Sequence, residues 1–126
     1  MTVDLKIQAL HPALGAEVVG LDLAETMDDE TFQAIRDAWM KHLVLVFPNQ
    51  TLSEEQQITF SQRFGALEEH HQDIIKSRSS PQIFRVSNVN DEGNIMSSDH
   101  PSIAQISLAQ RWHTDSSYRA VPSLGS

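Results

Sequence analysis

The spacing of apolar residues changes along this chain, and those changes confine it to a mixed α+β architecture. Val3, Leu5 and Ile7 alternate with Asp4, Lys6 and Gln8, the two-residue period of a strand with one wet face. His11-Pro12 interrupts that run, and Ala16 to Leu23 (AEVVGLDL) predicts a second strand after Gly15. From Asp28 the period lengthens. Asp28 or Thr26 is placed to cap a helix whose first turn holds Asp29 and Glu30, and Phe32, Ile35 and Trp39 form a helical stripe running up to Lys41. His42 to Phe47 (HLVLVF) then predicts a short strand buried on both faces, closed by Pro48 and Asn49.

A second helix is announced by Ser53-Glu54-Glu55-Gln56, a capping box with Ser at the N-cap and Gln three residues on. It is expected to reach about Arg63, with Ile58 and Phe60 inward and Gly65 beyond its end. Gln82 to Val89 (QIFRVSNV) predicts another β segment. Residues Asn90 to Gln110 keep no sustained period and predict a flexible, lid-like loop of about twenty residues, the length at which a loop usually has a function or is disordered. The whole, residues 1–126, is expected to form a single domain.

Charge limits what such a domain binds. The formal net charge of -8, from 17 acidic and 9 basic residues, disfavours nucleic acid and anionic membrane surfaces, which call for clustered Lys and Arg. A small-molecule ligand is the expectation. With no Cys there is neither a disulfide framework nor a thiolate metal site, and a reducing compartment is compatible. Asp4 and Lys6 break the apolar pattern of the first ten residues, against a signal peptide, and no run approaches the ~18 apolar residues of a membrane span. The expected setting is cytoplasmic.

The chemistry concentrates in Gln110-Arg111-Trp112-His113-Thr114-Asp115-Ser116-Ser117-Tyr118. On an extended strand, side chains two apart leave the same face, so the imidazole of His113 and the carboxylate of Asp115 would lean into one space. One nitrogen and one carboxylate oxygen make two thirds of the 2-His-1-carboxylate triad that holds non-haem Fe(II). The same spacing also suits a strand His hydrogen-bonded to a nearby carboxylate, and His-x-Asp arises readily by chance. Trp112 is expected to pack and steady the strand. The remaining histidines read as structural or solvated: His11 in a turn, His42 at a strand lip, and His70-His71 in a polar loop after two Glu. A zinc hydrolase would need three protein ligands and a general base, for which there is no spacing.

Several stretches, taken in order, resemble the Fe(II)- and 2-oxoglutarate-dependent dioxygenases of the taurine and 2,4-dichlorophenoxyacetate type (the TauD/TfdA family). They are Leu14-Gly15-Ala16-Glu17-Val18-Val19-Gly20-Leu21-Asp22-Leu23, His42 to Phe47, Leu52 to Gln57, Phe60-Ser61-Gln62-Arg63-Phe64-Gly65, and Trp112 to Tyr118 followed by Pro122. The resemblance implies the N-terminal portion of a double-stranded β-helix, or jelly roll, with two flanking helices. It implies that His113 and Asp115 are metal ligands for Fe(II), and that His70 reaches the acidic group of the substrate. It further implies a reaction in which 2-oxoglutarate and O2 yield succinate and CO2 while a small anionic molecule is hydroxylated, an alkyl sulfate, sulfonate or aryloxyalkanoate. Ala109 stands where the taurine enzymes carry an Asn, which removes one taurine-like contact. The family's distal His and its 2-oxoglutarate-binding Arg have no match up to Ser126, so the chain is expected to be a partial dioxygenase domain with a catalytically incomplete site. A non-catalytic metal- or ligand-binding module, or an inert truncated fragment, is the alternative. A jelly roll cut midway would expose strand edges and apolar faces and favour association, so a homo-oligomer is also expected.

Overall fold

Gly15 sits at φ +92°, a conformation in which an L side chain would be strained, and it turns the chain between the first two strands. Leu10 N–H closes that turn onto the Gly15 carbonyl at 2.9 Å. The computed structural model describes residues 5–69, 80–84, 86–90, 92–108 and 110–126. Its backbone divides into two compact units, residues 1–67 and 68–126.

In the first unit, β1 (Lys6–Ala9) pairs antiparallel with β2 (Ala16–Val19), Lys6 opposite Val19 and Ala9 opposite Ala16. The chain then crosses over through α1 (Asp29–His42), so that β3 (Leu45–Val46) returns parallel to β2, with Ala16 opposite Leu45. Gly15 N–H donates to the His42 carbonyl at 2.7 Å and Ala16 N–H to the Val44 carbonyl at 2.9 Å. The sheet order is β1-β2-β3, which leaves β2 as the central strand. Its alternate residues Ala16 and Val18 are fully buried and join Leu23, Phe32, Ile35 and Ala38 in the core.

Both helix starts form as their sequences dictate. The Asp28 carboxylate accepts Thr31 N–H at 2.8 Å ahead of α1. Ser53 and Gln56 exchange reciprocal bonds at the head of α2 (Glu54–Gln62), Gln56 N–H to Ser53 Oγ at 3.2 Å and Ser53 N–H to Gln56 Oε1 at 2.9 Å. Phe64, just past α2, makes edge-to-face contacts with Phe32, Trp39 and Phe60 at centroid distances of 4.9, 5.4 and 5.4 Å. Next to it, the Arg63 guanidinium lies 4.4 Å from the Phe32 ring centroid, donates to the Met27 carbonyl at 2.6 Å and pairs with Asp29 at 2.6 Å. Gln50 ties down the segment after β2: it accepts Leu23 N–H at 2.8 Å and donates to the Leu21 carbonyl at 2.9 Å.

The structure corrects three expectations about elements. The HLVLVF run is not a strand buried on both faces: His42 ends α1, Leu43 turns the chain at φ +66°, and β3 is an edge strand with Val46 exposed. Residues 82–89 form no strand among those described: Phe84 and Val89 are isolated bridge residues, Val89 facing Ile95. The stretch 90–110 is not one open loop, because α3 (Pro101–Leu108) occupies eight of its residues. Proline suits a first helical position, where its missing N–H costs nothing, and His100 Nδ1 accepts Ser102 N–H at 3.2 Å beside it.

Candidate metal centre

The second unit carries the His-x-Asp pair. Residues 112–114 have no regular secondary structure and run into a turn over 115–118. The strand expected there is therefore absent, yet the pair meets: His113 Nε2 lies 3.0 Å from Asp115 Oδ1. Both side chains are about half exposed, at 47% and 52%.

The other face of the imidazole decides what that contact means. His113 Nδ1 stands 2.6 Å from the Arg111 carbonyl oxygen, which only accepts, so Nδ1 carries the proton. In the neutral ring Nε2 is then a lone pair, and it faces a carboxylate. Two acceptors at 3.0 Å require something positive between them. A proton on Nε2 meets that need, and a divalent cation would meet it as well. The Arg111 carbonyl, first, and the Asp115 carboxylate, second, hold the imidazole pKa above its ordinary value of 6.5, against an opposing effect of desolvation. The separation also suits a metal. Two ligands at right angles on one ion, each ~2.1 Å from it, stand roughly 3.0 Å apart. A backbone carbonyl fixing the far nitrogen is the usual support of a metal-bound His.

Among the described residues no group of three or more His, Asp or Glu side chains gathers to hold a metal ion. His11 Nδ1 accepts Ala13 N–H at 3.1 Å in its own turn, His42 closes α1, and His100 stands at the head of α3. His70, the expected substrate contact, lies outside the described residues, as do His71 and Ala109. Trp112 corrects another expectation: it is fully exposed and steadies no strand.

Glu68 is the residue that sequence reasoning missed. Its carboxylate accepts the Ser116 hydroxyl at 2.7 Å and the Ser123 hydroxyl at 2.6 Å, with Arg119 Nε 3.6 Å away. Nothing local in the sequence signals it, since 48 residues separate Glu68 from Ser116.

Residues 6–126 match the model of the family described as taurine catabolism dioxygenase TauD, TfdA. The chain belongs to the TauD, TfdA family. A Delftia acidovorans relative named (S)-phenoxypropionate/alpha-ketoglutarate-dioxygenase is 36% identical over 129 residues, covering 99% of this chain and 41% of its own length. The alpha-ketoglutarate-dependent 2,4-dichlorophenoxyacetate dioxygenase of Cupriavidus pinatubonensis is 34% identical over 116 residues, covering 87% of this chain and 39% of that protein. Among solved structures, AAD-2 in complex with Mn(II) and N-oxalylglycine superposes with a TM-score of 0.77 at 30% identity, over 97% of this chain and 39% of that one. The chain thus spans about two fifths of the length of these TauD, TfdA relatives. The match covers every described residue of the candidate centre, from Glu68 through Ser123.

Proposed function

We propose that this protein is an Fe(II)- and 2-oxoglutarate-dependent dioxygenase acting on a small anionic molecule of the aryloxyalkanoate type, with alkyl sulfates and sulfonates as related candidates. The reading rests above all on the His113 Nε2 to Asp115 Oδ1 contact at 3.0 Å, with the far imidazole nitrogen committed to the Arg111 carbonyl. The names of the phenoxypropionate and 2,4-dichlorophenoxyacetate relatives favour the aryloxyalkanoate class. The corresponding fold is part of a double-stranded β-helix, with α1 and α2 flanking it.

In this reading His113 and Asp115 hold the iron, which when bound supplies the oxygen chemistry that converts 2-oxoglutarate and O2 to succinate and CO2 as one C–H of the substrate becomes C–OH. His113 contributes a neutral nitrogen, kept in one tautomer by the Arg111 carbonyl. Asp115 contributes a carboxylate oxygen and one negative charge. His70 is proposed to meet the substrate's anionic group, as an imidazolium or an N–H donor.

The test has two parts. Mn(II) binding is measured for the wild-type chain and for His113→Ala and Asp115→Ala, and succinate formation from 2-oxoglutarate is measured with Fe(II), O2 and phenoxypropionate. Each substitution is expected to abolish metal binding, and His70→Ala to weaken substrate stimulation only. Unchanged Mn(II) affinity in both ligand variants would refute the centre. A second reading is a metal-binding module without turnover. It is established for this chain if Mn(II) binds through both residues and no succinate forms.

A further inference from the structure

We propose that Glu68 is a positioning residue for the metal pair, acting through a clamp on the turn that follows Asp115; this rests on the metal-binding reading above. His113 and Asp115 are half exposed, so packing does not hold them in register. A metal ligand must nevertheless be set to within roughly half an ångström and 10–20° of its working geometry. The constraint has to come from the backbone, and the backbone just after Asp115 is unusual. Ser116 occupies φ +52°, a left-handed conformation unfavourable to an L residue. Arg119 N–H closes the turn onto the Ser116 carbonyl at 3.0 Å.

Glu68 holds this turn from outside it. One oxygen takes the Ser116 hydroxyl and the other the Ser123 hydroxyl, and Arg119, at the turn's end, faces the same carboxylate. The two hydroxyls themselves lie 3.3 Å apart. Hydroxyl-to-carboxylate bonds are short and strong, and two of them converging on one side chain fix Ser116 against relaxing out of its left-handed conformation. Since Ser116 shares a peptide bond with Asp115, its conformation sets the direction in which the Asp115 side chain leaves the backbone. Glu68 works through Ser116.

The experiment uses the 126-residue chain and a readout that needs no metal. In the wild-type chain, the three-bond couplings about the Asp115 Cα–Cβ bond should report a single χ1 rotamer. Glu68→Ala should move them toward rotamer-averaged values and should lower Mn(II) affinity about tenfold or more, the usual effect of losing support behind a ligand. Glu68→Gln, which keeps an acceptor oxygen, should recover most of both. Glu92→Ala removes the same charge from an exposed site in the same unit and should change neither. Should Glu68→Ala fail to fold, Ser123→Ala removes one clamp bond and leaves the carboxylate; it should shift the Asp115 couplings in the same direction. Wild-type couplings in Glu68→Ala, or equal effects of Glu68→Ala and Glu92→Ala, would overturn the clamp. If instead His113→Ala leaves Mn(II) binding intact, the metal reading fails while the Asp115 couplings still decide the clamp.

Discussion

At the scale of single residues, the chain uses short polar side chains to settle backbone groups that would otherwise be orphaned. Asp28 is the plainest case. Its hydrogen bonds to Thr31, side chain and backbone, hold its carboxyl pKa below the ordinary 3.8. A folded-state pKa below the unfolded value means that the carboxylate stabilises the folded form above about that ordinary value, and that this contribution is lost as pH falls through the depressed pKa. Asp28→Asn should separate the two parts of the cap, because Asn also caps well but does not titrate. Thermal melts between about pH 5 and 2 are expected to show the wild-type advantage over Asp28→Asn shrinking as the acid end is approached. The other carboxylates of the first turn cancel in that difference, and an advantage that stays constant with pH would remove the cap from the acid response. The His113–Asp115 pair belongs to the same scale. Its two-residue spacing could be read from the sequence, but the strand assumed to bring the side chains together is absent and they meet at the entry to a turn instead; the tautomer depends on a carbonyl that only the fold places.

At the scale of elements, legibility followed locality. The starts of α1 and α2 are written within four residues each, so Asp28 and the Ser53-Gln56 box could be read directly and both form. Ser53→Ala should therefore cost about 1 kcal/mol, measured by urea unfolding, with little change in slope. Gln56→Ala removes the other half of the box and the further bond from Gln56 to the Ala24 carbonyl at 3.3 Å. The aromatic hub is a larger matter. Phe64→Ala removes three ring contacts at once and should destabilise the chain by roughly 3 kcal/mol, near the low end for Phe→Ala because the ring is only half buried. A loss no greater than that of Ser53→Ala would show that the hub contributes shape and little energy. What could not be read depends on distant partners. The β propensity of residues 82–89 has no meaning without a partner strand, and α3 lacks the charged caps and wide apolar stripe by which a helix is found. Glu68 is the extreme case, a residue whose role exists only after the chain has folded back on itself.

At the scale of the whole molecule, two opposed effects set the solution behaviour. Ile95, Trp112, Tyr118, Val121 and Leu124 are all well exposed, and apolar side chains left to water favour association. The net charge of -8 opposes the association that this surface favours, because copies of the chain repel one another. Salt weakens repulsion and leaves apolar attraction intact: at about 0.01 M the screening length is ~30 Å and at about 1 M it is ~3 Å. Sedimentation velocity should accordingly find the chain least associated at low ionic strength and increasingly associated as salt is added, with Trp112→Ser or Val121→Ser reducing the effect. Val121 belongs to neither the proposed Glu68 clamp nor the His113–Asp115 pair, whereas Trp112 adjoins His113, so Mn(II) binding is measured beside assembly for Trp112→Ser. Association driven mainly by charge would run the other way, falling with salt. A chain that remains monomeric and melts in one cooperative transition at both salt concentrations would mean that these side chains satisfy one another in solution, and the exposed surface would lose its significance.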